Sequence, residues 1–361
     1  MPSVRVGAED ALALALRHHA RVQALVRTTG GIEQLAADEL RAAGHLVGDR
    51  ARRQLVVSAS SMALIHQPPR VADDLFVVAA DVPDPGHRKG DLDGLVASLS
   101  RSLRMPVPVH RDEPFAVSGS FAGRRNFTRF ALEDAVGVVV QKLTGARHVS
   151  RAGGSVIPPK ERADLRIVLD GTRAILGVRP FTVPLHRRVW RTRTVPGSLH
   201  PPVAAAMARL ADIRSGDFVL DPFSGAGTVL LEAAAARSDA RYLGIDCSET
   251  ALRAARGNAL GRVQIDWRWG DAARLAPFAS SVDRIITNPP WGFRHSIDDI
   301  APYIEQWRVA LKPDGVVVAI LNPQQAAAFH RSRDWMVSRQ LDVSVAGKHA
   351  RIVCASLCKA R

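Results

Sequence analysis

Cysteine is scarce in this chain: Cys247, Cys354 and Cys358 are the only three in 361 residues. Three thiols without further ligands at zinc spacing exclude a disulfide framework and a cysteine-built zinc site. No metal is expected, and a reduced cytoplasm fits best. No apolar run reaches the roughly 18 residues of a spanning helix, so no spanning helix and no membrane partner are expected. The opening Met1-Pro2-Ser3-Val4-Arg5 is not expected to be a secretory leader, because the apolar stretch Ala11 to Leu16 is short and runs into Arg17-His18-His19. Acidic residues are also in deficit, 35 Asp and Glu against 49 Lys and Arg, which leaves a formal charge of +14.

That excess is uneven: residues 101–200 hold 18 Lys and Arg against 7 Asp and Glu, a net +11. A basic segment of this kind suits a polyanionic partner held through phosphates. Within it, Arg124-Arg125-Asn126-Phe127-Thr128-Arg129-Phe130 mixes charge with aromatic rings, as single-strand binders do. A solvated face in an arginine-rich composition would give the same run. With 47% hydrophobic residues, the chain can build two or three domains with cores of their own.

Asn288-Pro289-Pro290-Trp291 is the most informative motif. An amide, two prolines that fix φ and lack an N–H, and a flat ring suit a planar base that carries an amino group. The Asn288 side-chain oxygen and the Pro289 carbonyl can accept from an exocyclic amine, and Trp291 can stack on the ring. A Pro-Pro turn with a core Trp would look the same in isolation. Ser281 to Thr287 reads as a buried strand delivering the motif, at the end where open α/β sheets place their ligand crevices.

Upstream, Phe218 to Asp221 reads as a strand ending in a carboxylate, followed by Pro222-Phe223-Ser224-Gly225-Ala226-Gly227-Thr228 and a helix from Val229. Gly225 and Gly227 would let the backbone approach a ligand closely. No Lys-Ser or Lys-Thr follows them, which excludes a phosphate loop. A second strand ends at Asp246, near the spacing of a ribose-binding acid, and a third acid, Asp271, follows Trp267-Arg268-Trp269-Gly270.

This order of motifs resembles class I S-adenosylmethionine-dependent methyltransferases over roughly residues 196–361. The resemblance implies a Rossmann-like α/β domain in which Asp221, Phe223, Ser224, Gly225, Gly227 and Thr228 surround the methionine end of S-adenosylmethionine. It further implies that Asp246 holds the ribose and that Asp271 with Ala272 reads the adenine. Asn288, Pro289, Pro290 and Trp291 match the Asn-Pro-Pro-aromatic signature of enzymes that methylate exocyclic amines, with Trp in place of the usual Tyr or Phe. Methylation at cytosine C5 would need a cysteine nucleophile, and none neighbours this motif in sequence.

Ahead of this domain, Val22 to Thr29, Gln54 to Ser58 and Asp74 to Ala80 read as strands and Ile32 to Ala43 as a helix, ending at Pro83-Asp84-Pro85-Gly86. Leu92 to Leu103 and Phe130 to Leu143 read as helices, Phe115 to Gly119 as a strand, and Leu165 to Leu169 with Ala174 to Gly177 as a hairpin about Asp170-Gly171. On Thr28-Thr29-Gly30-Gly31-Ile32-Glu33 with Glu39-Leu40, and on Asp164 to Ile167 through Arg187-Arg188-Val189-Trp190-Arg191, these segments resemble the α+β ferredoxin-like and THUMP domains that precede certain RNA methyltransferases. The expected division is 1–86 ferredoxin-like, 87–190 THUMP, 191–202 linker and 203–361 methyltransferase. The resemblance implies methylation of guanosine N2 in tRNA, in the acceptor stem, with Arg124, Arg125, Arg129, Arg187, Arg188 and Arg191 on the RNA. Ribosomal RNA (guanine N2 or adenine N6) is the alternative substrate. A noncatalytic RNA-binding protein, or a small-molecule or protein-amine methyltransferase, is the rival class.

Overall fold

The computed structural model describes residues 22–59, 61–103, 109, 111–154, 162–291, 297–345 and 347–358. The opening Met1 to Arg5 and the Ala11 to Leu16 stretch lie outside them. The chain divides into two compact units: residues up to Arg27 with Ala37–Leu185, and Thr28–Ala36 with His186 onward.

Up to Val178 the elements are β1 (Val22–Arg27), α1 (Glu33–Ala42), β2 (Leu46–Ala51), β3 (Gln54–Ala59), α2 (Ser61–His66), β4 (Asp74–Pro83), α3 (Asp91–Ser102), β5 (Pro114–Phe121), α4 (Arg129–Thr144), β6 (Arg147–His148), β7 (Ala163–Leu169) and β8 (Arg173–Val178). The strands form one eight-stranded sheet in the order β2-β3-β1-β4-β8-β7-β5-β6. β4 pairs with β1 on one edge and β8 on the other, so the segments before and after residue 86 share this sheet. Leu92, Leu95 and Leu99 of α3 and Leu132, Val136, Val139 and Val140 of α4 bury helical stripes against Phe115, Val117, Leu165 and Ile167. The β7–β8 hairpin turns at Asp170-Gly171 as expected. Asp170 Oδ1 accepts from the Thr172 and Arg173 N–H groups, and Gly171 adopts φ +100°.

The second unit contains α5 (Pro201–Leu210), β9 (Phe218–Asp221), α6 (Thr228–Ala236), β10 (Arg241–Asp246), α7 (Glu249–Ala259), β11 (Asp266–Trp269), β12 (Val282–Thr287), α8 (Ala301–Ala310), β13 (Leu311–Leu321), α9 (Pro323–Arg331), β14 (Trp335–Val345) and β15 (Lys348–Leu357). Its seven strands run β11-β10-β9-β12-β13-β15-β14. The first five are parallel, while β15 is antiparallel to both neighbours. The chain winds outward from β9 through β10 to β11, then restarts on the other side with β12 and β13. The strand order therefore reverses between β9 and β12, and the carboxyl ends of those two strands are where open α/β sheets place a ligand crevice. Asp221 ends β9 and Asn288 follows β12, so the reversal brings the two sequence motifs together.

Residues 28–36 belong to this second unit. Ser344 N–H donates to the Gly30 carbonyl at 3.2 Å, and Gly31, at φ +99°, leaves no room for a Cβ against the Asp342 carbonyl. Trp307, Phe329 and Trp335 form an aromatic run in the core beside β13.

Candidate active site

The turn after β9 holds the most constrained acid. Asp221 is fully buried, and its Oδ1 accepts from Thr287 Oγ1 at 2.7 Å and from Phe223 N–H at 3.0 Å. Thr287 is the last residue of β12, so this bond ties the two strand ends of the crevice together. Asp221 Oδ2 has no partner, and neither do the buried hydroxyls of Ser224 and Thr228. Desolvation, reinforced by the Asp246 charge, raises the Asp221 carboxyl to about 7 despite its two hydrogen bonds. A buried carboxylate oxygen and two hydroxyls left open on one turn form a receptor for a cationic, hydrogen-bonding group.

The two glycines of the turn differ in role. A Cβ on Gly225 would meet only Val195 Cγ2 at 3.8 Å, so its approach side is open to a ligand. A Cβ on Gly227 would sit 2.6 Å from the Trp267 ring, and one on Gly244 would be 2.5 Å from the same ring. The absence of a side chain at Gly227 thus also admits the Trp267 ring. Its φ of +82° also starts α6.

Asp246 ends β10. Its Oδ2 accepts from Gly225 N–H at 2.9 Å and its Oδ1 from Ser248 N–H at 2.8 Å, which fixes the carboxylate and leaves each oxygen with further acceptor capacity. Asp271 is exposed, with Oδ1 accepting from Ala273 N–H at 2.9 Å, and Ala272 beside it is buried. Phe223 packs its ring against Tyr303 at 5.3 Å between centroids.

On the far side of the crevice, the Asn288 amide is held at both ends. Its Nδ2 donates to the Gly197 carbonyl at 3.1 Å, and its Oδ1 accepts from Trp291 Nε1 at 2.9 Å. An amide oxygen has two lone pairs, so one acceptor site stays open for an incoming amine. Trp291, expected only to stack, thus also orients Asn288. The Pro196 to Pro202 stretch, part of the expected 191–202 linker, contributes directly through Gly197, and Val195 lies against Gly225.

Two side chains that build the site carry no functional signal in sequence. Asn258 of α7 is buried, accepts from Thr192 and Arg193 N–H groups at 3.1 and 3.0 Å, and donates to the Arg193 and Ala226 carbonyls at 2.9 and 3.0 Å. It straps the segment before Gly197 to the glycine turn. Gln325, in the first turn of α9, donates from Nε2 to the Pro290 carbonyl at 3.1 Å and to the Ile297 carbonyl at 3.2 Å. The Asn322-x-x-Gln325 capping pattern is visible in the sequence, but its reach to Pro290 is not.

The six arginines expected on RNA separate into two groups. Arg124, Arg129 and Arg187 are exposed, with Arg129 lying over the Phe130 ring at 4.8 Å. Arg191 is partly buried with Nε unpartnered, and burial lowers its pKa. Arg125 must be corrected: its side chain has no exposure and grips Asp84 through two bonds of 2.6 and 2.7 Å. Arg188 is likewise engaged, 2.7 Å from the fully buried Glu232. Phe127, read as an interleaved aromatic, belongs to the core.

Comparison with known proteins agrees with this geometry. A family model described as UPF0020, the RMKL-like methyltransferase domain, matches residues 188–299. The tRNA (guanine(6)-N2)-methyltransferase of Thermus thermophilus is 34% identical over 268 residues, which span 72% of this chain and 75% of that protein. The U6 snRNA (guanine-N(2))-methyltransferase of Bos taurus is 34% identical over 199 residues, 52% of this chain but 39% of the relative. The crystal structure of TrmN from Thermus thermophilus superposes with a TM-score of 0.77 at 27% identity, over 93% of this chain and 100% of that one.

Proposed function

The chain belongs to the tRNA guanine-N2 methyltransferase family, and from that premise we propose that it methylates the exocyclic N2 amine of a guanosine in the acceptor stem of tRNA. The observation that carries this reading is the Asn288 amide, fixed at both ends yet with an acceptor site free, at the end of a strand tied to Asp221.

S-adenosylmethionine is the methyl donor and, when bound, supplies an electrophilic methyl on a sulfonium. The residues present fit it. Asp221 Oδ2 and the Ser224 and Thr228 hydroxyls, which lack partners, would hold its charged amino-acid end, and the open side of Gly225 would let the protein backbone come close to it. The fixed Asp246 carboxylate would take the ribose hydroxyls, and Asp271 with Ala272 would meet the adenine edge.

Asn288 Oδ1 and the Pro289 carbonyl accept the two protons of the guanine amine, which turns the nitrogen lone pair away from the loop. Trp291 supports the face of a base taken out of its stack. The nitrogen becomes acidic once alkylated, so its proton leaves to water and no strong base is needed. Orientation and proximity supply most of the rate enhancement.

Residues 1–86 and 87–190 act in this reading as ferredoxin-like and THUMP modules that dock the RNA, 191–202 as the linker and 203–361 as the catalytic domain. Arg124, Arg129, Arg187 and Arg191 carry the phosphate contacts, while Arg125 and Arg188 hold the fold. The described residues contain no helix long and apolar enough to cross a membrane, and the cytoplasm is the proposed location.

The test is transfer from labelled S-adenosylmethionine to unmodified tRNA by wild type and Asn288→Ala. Incorporation by wild type alone, with cofactor binding equal in both, supports the reading. Incorporation by the variant at the wild-type rate overturns it.

A further inference from the structure

The tetrapeptide that receives the base has little means of anchoring itself. Pro289 and Pro290 lack an N–H, so this stretch of backbone offers carbonyls but few donors. A loop whose task is to present the Pro289 carbonyl and the Asn288 side chain at fixed positions needs donors from elsewhere.

Gln325 supplies them. β13 lies parallel to β12 with Ala319 opposite Thr287, so the turn after β13 brings the start of α9 beside the tetrapeptide. There Asn322 Oδ1 accepts from Gln325 N–H at 2.8 Å, and Gln325 Oε1 accepts from Asn322 N–H at 3.2 Å. This reciprocal cap engages the amide oxygen and so decides which way the amide faces. The Nε2 end is directed at the Pro290 and Ile297 carbonyls, 3.1 and 3.2 Å away. Ile297 N–H also donates to the Pro290 carbonyl at 3.3 Å. Gln325 is 4% exposed, so water does not substitute for these bonds.

Glu serves a capping box as well as Gln does, since the helix needs only the acceptor oxygen. What Glu lacks is the pair of donors facing Pro290 and Ile297. The presence of Gln rather than Glu therefore answers a requirement of the tetrapeptide, not of the helix. We propose that Gln325 is a positioning residue for methyl transfer, acting through the Pro290 carbonyl to fix the carbonyl and amide that orient the substrate amine. The inference rests on the base-binding reading of residues 288–291.

The experiment compares Gln325→Glu, Gln325→Ala and Asn288→Ala in single-turnover transfer to tRNA across about pH 6 to pH 9, with cofactor affinity measured on each. Gln325→Glu keeps the cap but turns an acceptor toward two carbonyls. Its rate is expected to fall about tenfold or more at neutral pH while cofactor affinity stays within about threefold. The deficit relative to wild type deepens as pH rises, because a protonated carboxyl still donates and a carboxylate does not. Gln325→Ala loses rate to a similar degree with no such pH trend relative to wild type, and carries the test if the Glu variant does not fold. Wild-type rates in the Gln325 variants, with Asn288→Ala inactive, overturn the proposal and leave the base-binding reading standing. Full activity in Asn288→Ala overturns that reading and this inference with it.

Discussion

The indole N–H of Trp291 donates to the side-chain oxygen of Asn288 at 2.9 Å, while the other end of the same amide is held by the Gly197 carbonyl. Trp291 is therefore both a stacking face and the clamp that sets the orientation of the amide. Phe offers only the first of these, which gives the Trp in this position a definite chemical consequence.

Replacing Trp291 with Phe keeps the π-face and removes the clamp. One hydrogen bond of this kind is worth about 0.5–1.5 kcal/mol, so single-turnover transfer should slow roughly two- to tenfold with cofactor affinity unchanged. Trp291→Ala should lose a further roughly 1–3 kcal/mol of base stacking. A Phe variant as fast as wild type would leave the indole N–H without a catalytic role.

Asp221 predicts a pH signature. Its native pKa, about 7 against the ordinary 3.8, means that the folded protein holds this proton more tightly than the unfolded chain. The stabilising contribution is complete below the unfolded value and is lost as pH rises toward about 7. Asp221→Asn removes this dependence, so its melting temperature relative to wild type should climb over that window. A cationic ligand favours the carboxylate, so wild-type cofactor affinity should strengthen about tenfold from about pH 6 to about pH 8. Calorimetry at the two pH values checks this, and equal affinities would remove Asp221 from the cationic end of the site.

Asn258→Ala should leave the buried Ala226 carbonyl without its donor and release the Arg193 N–H and carbonyl, while the Thr192 N–H keeps the Trp190 carbonyl. Each buried group left unpaired costs about 1–3 kcal/mol. The variant should melt several degrees lower and bind the cofactor more weakly, because the glycine turn loses its strap. An unchanged melting temperature would show that the segment repacks without it.

The arginines can be sorted by salt dependence. Replacing Arg124 and Arg129 together should weaken tRNA binding and flatten its dependence on salt by about one charge per lost phosphate contact. Arg125→Ala should leave that slope alone and destabilise the fold by about 1–3 kcal/mol, since it removes the counter-ion of Asp84, which keeps only the Gly86 and Gly171 N–H groups. The reverse pattern would place Arg125 on the RNA.

What could be read in sequence was what depends on local spacing. The strand ends at Asp221 and Asp246, the helix read from Val229 and found from Thr228, the stripes of α3 and α4 and the Asp170-Gly171 hairpin all follow from periodicity and turn chemistry over a few residues. The candidate site was read as three acids and a tetrapeptide, of which the strand order brings Asp221 and Asn288 to neighbouring strand ends. What escaped depends on partners distant in the chain. Arg125 meets Asp84 across 41 residues, Arg188 meets Glu232 across 44, and Asn258 reaches back 66 to Thr192. A run of arginines looks the same whether its guanidiniums face phosphate or a buried carboxylate. Gly227 shows the same limit: its lack of a side chain also admits the ring of Trp267, 40 residues on, which local spacing does not reveal.

The most direct test of the account is the identity and position of the product. Unmodified tRNA is incubated with the protein and S-adenosylmethionine, digested to nucleosides and mapped by fragment with mass spectrometry. The account predicts N2-methylguanosine confined to a fragment of the acceptor stem, absent with Asn288→Ala. Methyl groups on adenine N6, or in ribosomal RNA with none in tRNA, would contradict it.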